Sequence, residues 1–168
     1  KIYLKYGKID GIINSVGYTE PSKKNILQSP ETFKKTIKIN LISAFEIIFY
    51  GQNYLRNGSS IINISSIGSQ LGFPCNPGYL SSKAGLDGLT KALAYDLSYR
   101  KIRVNNILPG YIKTKMTKKS YNNKNSFLLR KSRTLLDRWG KTEDVAGAAV
   151  YLISDGSKYT TGTNITID

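Results

Sequence analysis

The sequence predicts an α/β protein whose core is a doubly wound parallel sheet. Short apolar runs alternate with longer stretches in which apolar residues recur at helical spacing, and this alternation is typical of parallel strands joined by helices. Polar residues of chemical interest follow the ends of the apolar runs, where sheets of this kind bind ligands. The predicted strands are residues 9–14, 60–66, 102–108 and 164–168.

The first strand and the first helix are indicated by their boundaries. Ile9 to Asn14 is a short apolar run flanked by glycines, which suits a buried parallel strand. Ser29 then provides a helix cap, followed by Pro30 at the first helical position and an acidic residue. The apolar residues that repeat at helical spacing beyond this cap are Phe33, Ile37, Leu41, Ala44, Phe45 and Ile48. Asn40 falls on the same packed side, so it needs a hydrogen-bonding partner there.

The middle of the chain predicts a second strand and a long helix. The strand from Ser60 to Ser66 delivers Ser66 at its carboxyl end. A helix then begins at Tyr79 and runs to about Tyr99. Its apolar stripe consists of Leu86, Leu89, Leu93 and Leu97.

The last third predicts one more helix between two strands. The run from Ile102 to Leu108 is a strand that Pro109 stops. Thr142 opens a helix that continues through Ile153, and residues 164–168 form the closing strand. Between them, residues 113–138 look loosely structured and strongly basic. The basic residues of this segment are Lys113, Lys115, Lys118, Lys119, Lys124, Arg130, Lys131, Arg133 and Arg138.

The composition fits one globular domain, or most of one, and excludes several enzyme classes. Histidine is absent, which excludes a Ser-His-Asp hydrolase, a histidine-based metal site and a histidine general base. Cys75 is the single cysteine, so it cannot form an internal disulfide, and this favours the cytoplasm. No apolar run approaches the ~20 residues that a membrane span needs. Acid–base chemistry must therefore depend on Tyr, Lys, Asp or Glu.

The charge of the chain leaves a nucleic-acid partner as an alternative. The sequence has 25 basic and 11 acidic residues and a formal charge of +14, and such a balance can indicate phosphate contacts. The lysines are spread along the chain, however, beside many Asn, Ile, Ser and Tyr residues. We therefore interpret the basic segment, residues 113–138, as a solvated, mobile surface. A patch that receives an anionic substrate is the other interpretation.

Two tyrosine–lysine pairs in this sequence have the same spacing, Tyr79 with Lys83 and Tyr111 with Lys115. On the predicted helix Tyr79 and Lys83 lie on one face, one turn apart, and Ser66 stands 13 residues earlier. An ammonium group near a phenol favours the phenolate and lowers its pKa from about 10, which makes a better proton donor or acceptor near neutral pH. Tyr111 follows a Pro-Gly turn, and no comparable helix is predicted behind it. The second pair therefore shows what the same spacing means without a helix.

The motifs together resemble the short-chain dehydrogenase/reductase family over essentially the whole chain. The matching runs are Ile9 to Gly17, Ile39 to Leu41, Ile61 to Ser66, Tyr79 to Gly85, Arg103 to Gly110, Arg138 to Val145 and Thr161 to Asp168. The resemblance implies a Rossmann-like fold and a nicotinamide cofactor, either NAD or NADP. It also implies that residues 113–138 form a movable lid over the substrate.

The resemblance implies roles for four catalytic residues. Tyr79 would exchange a proton with the substrate oxygen, and Ser66 would orient and polarise that oxygen. Lys83 would lower the pKa of the tyrosine and hold the nicotinamide ribose. Asn40 would hold a water molecule in a proton relay to Lys83; a buried Asn with satisfied hydrogen bonds is the alternative.

The resemblance also places the cofactor, and it implies no metal. Asn14, Ser15 and Gly17 resemble the family's turn beside the adenosine ribose, in which Ser15 and Val16 replace the usual Asn and Ala. The segment that lines the nicotinamide is matched by Pro109, Gly110, Ile112 and Thr114.

A glycine-rich phosphate loop is missing from the sequence. No two of the 15 glycines stand two positions apart, so the G-x-G-x-x-G pattern of dinucleotide-binding turns does not occur. Lys1 to Gly7 resembles the end of the family's third connecting helix. These observations predict that residues 1–168 are the C-terminal portion of a longer enzyme. They also predict an open sheet edge at residues 9–14, poor solubility and no activity for this portion alone.

The predicted function is hydride transfer between a nicotinamide cofactor and a carbonyl or alcohol substrate. Sugar acids, polyols and 3-oxoacyl groups remain open as substrate classes. We also expect a homodimer or homotetramer, because apolar residues exceed what one buried stripe needs, namely Phe45, Phe49, Leu89 and Leu93. Two alternatives stay open: a non-catalytic relative that only binds or oligomerises, and a basic nucleic-acid-binding protein.

Overall fold

The computed structural model describes residues 5–168 and contains one sheet of four parallel strands. The strands lie side by side in chain order. They are β1 (Ile9–Asn14), β2 (Leu55–Ile64), β3 (Arg103–Pro109) and β4 (Asn164–Ile167). The α/β class and the parallel Rossmann-like sheet are therefore confirmed. Lys5 and Tyr6 are helical, as predicted, whereas residues 1–4 of that predicted helix end lie outside the described residues.

The helices cover both faces of the sheet. In chain order they are α1 (Pro30–Ile37), α2 (Ser43–Gly51), α3 (Pro77–Asp96), α4 (Lys118–Tyr121), α5 (Lys124–Lys131) and α6 (Thr142–Ile153). The predicted cap at Ser29 is confirmed, because its hydroxyl accepts a hydrogen bond from the Thr32 amide at 3.2 Å. No helix of residues 5–168 is both long and apolar enough to cross a membrane.

Two apolar clusters, one on each face, hold the helices to the sheet. Neighbouring residues of a strand point to opposite faces, and Ile61 and Ile62 accordingly belong to different clusters, each with no exposed surface. Ile61 packs with residues of α2 and α3, including Ile48 and Leu93. Ile62 packs against Leu152 of α6. This two-sided burial explains why the strands are nearly continuous apolar runs.

Three predicted features differ from the structure. Strand β2 begins at Leu55 and ends at Ile64, so Ser65 and Ser66 lie just beyond it. Residues 113–138 are not uniformly loose, because they contain helices α4 and α5; their movement as a lid stays a prediction. Leu93 was expected to be available for a subunit contact, yet it is 9% exposed and belongs to the core of this chain.

Strand β1 is an edge of the described sheet. It pairs with β2 alone, and Ile13 near its end is 48% exposed. An apolar strand with one unpaired edge offers backbone groups to another strand. The behaviour of such an edge in solution stays a prediction.

Candidate active site

The site begins at an irregular turn between α1 and α2. Residues Lys38–Ile42 form a π-helical segment, a rare geometry that often occurs at functional sites. Asn40 lies inside it and is 2% exposed. Its side-chain oxygen accepts from the Tyr18 amide at 2.6 Å, and its amide donates to the Tyr18 carbonyl and the Ser82 hydroxyl, each at 2.9 Å. The predicted need for a buried partner is confirmed. That Asn40 holds a water molecule stays a prediction. Because its side-chain amide is already bonded to Tyr18 and Ser82, its backbone would have to hold that water.

Ser66 is held at the carboxyl end of β2 by local geometry. It caps the short 3-10 turn Ile67–Ser69, and its hydroxyl accepts from the Gly68 amide at 3.0 Å. Its side chain is buried, with 8% exposure. The cap fixes the direction of the hydroxyl, which remains able to donate a second hydrogen bond.

Tyr79 lies in the first turn of α3 and faces Ser66. The helix begins at Pro77, a residue suited to a first helical position because its missing amide is not needed there. Burial raises the pKa of the Tyr79 phenol above its ordinary value, while a hydrogen bond with Ser66 lowers the pKa by a smaller amount. The structure therefore brings together the two hydroxyl groups that the sequence could only place 13 residues apart.

Lys83 lies one turn further along α3 and is 3% exposed. Its ammonium nitrogen donates to the Ile64 carbonyl at 2.7 Å and stands 5.8 Å from the centre of the Tyr79 ring. Burial lowers the pKa of Lys83 to about 8, against a smaller opposing effect of the Asp87 charge. The predicted net lowering of the Tyr79 pKa is not what the structure shows: burial dominates and raises the pKa of the phenol.

The second pair, Tyr111 and Lys115, is not built in the same way. Residues 111–115 are not helical, and Lys115 is exposed. The Tyr111 ring instead packs 5.9 Å from Trp139, and the Arg130 guanidinium lies 5.7 Å above it. Trp139 in turn stacks on Phe127 of α5 at 6.0 Å. Tyr111 therefore belongs to an aromatic cluster with Trp139 and Phe127, and Lys115 stays outside it.

The predicted adenosine-side residues follow β1. Asn14 is buried and donates from its amide to Asn63 at 2.8 Å, whereas Ser15 and Gly17 are exposed. A side chain at position 17 would begin 3.2 Å from Met116 and 4.0 Å from the Lys83 nitrogen. A Cβ at this position would crowd Met116, so glycine lets the turn after β1 come close to Met116 and Lys83.

The predicted nicotinamide-side residues follow β3. The Gly110 amide donates to Ile167 at 2.9 Å, and the Thr114 amide donates to the Thr117 hydroxyl at 2.9 Å. Ile112 is buried and forms a bridge with Gly140. The segment from Pro109 to Thr114 is thus a fixed turn at the carboxyl end of the sheet, on the same side as Ser66. Cofactor contacts of these residues stay a prediction.

Sequence reasoning missed a group of amide side chains beneath the site, three of them buried and one, that of Asn164, half-buried. Asn14, Asn63, Asn106 and Asn164 pair with one another in register across all four strands; we call them the asparagine row. Two residues of α3, Asp87 and Thr90, hydrogen-bond to this row. The signal was present, because each apolar strand carries an asparagine at a corresponding position, and a buried amide requires partners.

Comparisons with known proteins establish the family. A family model described as enoyl-(acyl carrier protein) reductase matches residues 1–168. The chain is 39% identical to a 3-oxoacyl-[acyl-carrier-protein] reductase FabG of Thermotoga maritima, a match that covers 100% of this chain and 68% of that protein. It is 38% identical to the FabG reductase of Chlamydia trachomatis, with coverage of 98% and 66%. The chain spans about two thirds of the length of these curated relatives.

Comparison with solved structures indicates the same family. A 4-hydroxyisoleucine dehydrogenase mutant complexed with NADH and succinate has a TM-score of 0.91 and 34% identity, over 99% of this chain and 70% of that one. A putative 2-deoxy-D-gluconate 3-dehydrogenase of Agrobacterium tumefaciens with bound NADP has a TM-score of 0.89 and 29% identity, over 95% and 66%. The chain belongs to the short-chain dehydrogenase/reductase family, whose members are NAD(P)-dependent oxidoreductases.

Proposed function

We propose that the gene product transfers a hydride between NAD or NADP and a carbonyl or alcohol substrate, with Tyr79 as the proton donor or acceptor. The observation that carries this proposal is the arrangement of three side chains: Ser66 lies close enough to Tyr79 to lower the pKa of its phenol, and the Lys83 nitrogen lies 5.8 Å from the same ring. All three side chains follow the carboxyl end of β2 or line α3, where ligands of such sheets bind.

The residues present fit a nicotinamide cofactor. Glycine at position 17 lets the turn after β1 come close to Lys83, whose nitrogen would lie 4.0 Å from a Cβ there, and the Pro109–Thr114 turn lies at the same end of the sheet. Asn14, Ser15 and Gly17 would hold the adenosine side, whereas Lys83 and the turn after β3 would hold the nicotinamide side. The cofactor supplies the hydride acceptor or donor for the carbon that bears the substrate oxygen.

The protein's own groups handle the proton. In alcohol oxidation the Tyr79 phenolate takes the hydroxyl proton while Ser66 donates a hydrogen bond to the substrate oxygen. In carbonyl reduction the Tyr79 phenol returns that proton. The Lys83 ammonium stabilises the phenolate through space, since an opposite charge within a few ångströms favours the charged form. Asn40 completes the arrangement by fixing Tyr18 and Ser82 next to the first turns of α3.

We place a 3-oxoacyl thioester first among the substrate classes. The supporting observation is the agreement of several relatives at 37–39% identity, each named as a 3-oxoacyl-[acyl-carrier-protein] reductase. Sugar acids and polyols come next, since two structural neighbours at 29% identity are named as putative gluconate-type dehydrogenases. We propose that the enzyme acts in the cytoplasm, because Cys75 is its single cysteine.

We also propose a homodimer or homotetramer. Phe45 and Phe49 of α2 are 43% and 51% exposed and lie 6.0 Å apart, which leaves an apolar surface beyond the core. Light scattering of the gene product at micromolar concentration should give at least twice the monomer mass. A monomer would contradict this part of the proposal.

The experiment that tests the function is an assay of the gene product with a substrate panel. NADPH and NADH oxidation should be followed with a 3-oxoacyl thioester, and NADP and NAD reduction with a sugar acid and a polyol. We expect turnover with one class. No turnover with any class, together with retained cofactor binding, would favour a non-catalytic relative. Tight binding of nucleic acid with a steep salt dependence would favour the basic-protein alternative.

A further inference from the structure

The asparagine row forms a chain of hydrogen bonds that has a direction. The amide of Asn14 donates to Asn63 at 2.8 Å, and the amide of Asn63 donates to the Thr90 hydroxyl at 2.8 Å. That hydroxyl donates to Asn106 at 2.6 Å, whose amide donates to Asp87 at 3.0 Å. Every donor in this chain therefore leads towards the carboxylate of Asp87.

Two further donors reach the same carboxylate. The Ser65 hydroxyl donates to it at 2.8 Å and the Asn164 amide at 3.1 Å. Asp87 is only 9% exposed. An ionised carboxylate accepts hydrogen bonds and donates none, so three donors suit its charged form. The row thus holds a buried negative charge that is not used in the proposed proton transfer.

This charge lies one helical turn from Lys83, on the same face of α3. Ser65 links the two residues, because its hydroxyl also reaches the Lys83 carbonyl at 3.2 Å. The charge of Asp87 opposes the lowering of the Lys83 pKa by burial. The other titratable group that faces Lys83 is Tyr79 on the same helix, whereas β2 presents the Ile64 carbonyl.

We propose that Asp87 is a positioning residue for the Tyr79–Lys83 pair: the asparagine row and Ser65 hold its negative charge one turn from Lys83, and this charge favours the ammonium form of Lys83 beside Tyr79. Asp87 acts through Lys83 and touches no substrate. The inference depends on the proposed function for its kinetic consequence but not for its effect on Lys83.

The kinetic consequence has a definite sign. Without the Asp87 charge, Lys83 loses its proton at a lower pH. Among molecules that have lost one proton, more then carry a neutral Lys83 beside the Tyr79 phenol, and fewer carry the phenolate beside the ammonium. Alcohol oxidation needs the phenolate beside the ammonium, so kcat/KM for oxidation should fall, and the acidic limb of its pH profile should move to lower pH together with the Lys83 titration.

The first test compares Asp87→Asn with Thr90→Val in the gene product. Both changes break the hydrogen-bond chain, but only Asp87→Asn removes a charge. The lysine ε-carbon resonances are titrated by NMR, with the Lys83 signal assigned from its absence in Lys83→Arg. We expect the Lys83 titration to fall by about one pH unit in Asp87→Asn and to stay in place in Thr90→Val. In Asp87→Asn alone, the acidic limb of the pH profile of kcat/KM for oxidation should move to lower pH with a reduced plateau, and Asp87→Glu should restore both. Equal Lys83 titrations in Asp87→Asn and Thr90→Val would overturn the proposal.

A second measurement needs no variant and covers the case in which Asp87→Asn fails to fold. In the wild-type protein the Asp87 carboxyl carbon is followed by NMR between pH 7 and 10. Its resonance should shift at the same pH at which Lys83 titrates, because the two charges are coupled. A flat Asp87 resonance across the Lys83 titration would overturn the proposal. If the wild-type protein turned over no alcohol, the proposed function would fail, whereas both NMR titrations would still decide the role of Asp87.

Discussion

The two tyrosine–lysine pairs have the same sequence spacing and opposite surroundings. Tyr79 and Lys83 lie on successive turns of a 20-residue helix, and Lys83 is 3% exposed. Tyr111 and Lys115 lie on a non-helical segment, and Lys115 is exposed to solvent. Tyr79 lies beside a serine at the end of a strand, whereas Tyr111 packs into an aromatic cluster.

The difference shows that the spacing carries chemistry only when a helix and burial accompany it. A helix places residues i and i+4 on one face, and burial strengthens the interaction of their charges. On an irregular, exposed segment the same two residues neither face one another nor act in a low-dielectric surrounding. The first pair should therefore affect the reaction, and the surroundings of the second pair should affect stability.

The largest difference is expected for the two lysines. Lys83→Met should lower kcat/KM by about 100-fold or more, since the phenolate loses a nearby positive charge that general acid–base catalysis uses. Lys115→Met should leave kcat/KM within about twofold, as expected for a surface change away from the reacting groups. Steady-state kinetics of both variants under the same conditions give the comparison. Equal losses would remove the distinction between the pairs.

A substitution in the aromatic cluster around Tyr111 should change the free energy of unfolding. Trp139 is 3% exposed, stacks on Phe127 and donates from its indole to the Phe127 carbonyl at 3.1 Å. Trp139→Leu should lower the free energy of unfolding by about 2–3 kcal/mol, because it removes buried area and the indole hydrogen bond to α5. Urea unfolding measures the change. An unchanged midpoint would show that the cluster contributes no stability.

A smaller effect on the reaction is expected from the serine next to Tyr79. Ser66→Ala should lower kcat by about 10- to 100-fold, since one donor to the substrate oxygen is lost. Ser69 provides a matched control, because its hydroxyl is buried and has no hydrogen-bond partner among the described residues. Ser69→Ala should be as active and as stable as the wild-type protein. A loss in Ser69→Ala similar to that in Ser66→Ala would indicate a structural role for the whole turn.

The smallest expected effect is on the pH dependence of the free energy of unfolding. The Lys83 pKa is about 8 in the folded protein and 10.5 ordinarily, so between these values the unfolded chain binds more protons than the folded protein. Stability therefore rises with pH in this range, by up to ~1.4 kcal/mol per pH unit from this group, and falls as the pH is lowered towards 8. Urea unfolding across this range should show the contribution in Lys115→Met and not in Lys83→Met. The same slope in both variants would contradict the burial of Lys83.

Most of the fold could be predicted from the sequence because its signals are local. The apolar run at residues 9–14 and the cap at Ser29 lie where the structure has β1 and the start of α1. The helix that carries Tyr79 was predicted from its leucine stripe, and it begins two residues earlier, at Pro77. Helices α4 and α5 were missed, since each is short and the segment has weak periodicity.

The candidate site was predicted as a set of residues, but its electrostatics were not. The raised pKa of Tyr79 follows from its burial, which depends on tertiary packing and not on the spacing to Lys83. The role of Asp87 depends on strand register, because Asn106 and Asn164 meet only when β3 and β4 pair. Such contacts join residues far apart in the chain, and a single sequence does not contain them.

The most direct test of the central claim replaces the phenol in each pair by a phenyl ring. Tyr79→Phe and Tyr111→Phe each remove one hydroxyl group, so kcat/KM and cofactor affinity are measured side by side in the gene product. Tyr79→Phe should lower kcat/KM by about 10³-fold while cofactor affinity stays within about twofold of the wild type, because the change removes a proton donor and acceptor only. Tyr111→Phe should retain both. Equal losses in the two variants, or full activity in Tyr79→Phe, would contradict the assignment of Tyr79 as the proton-transfer group.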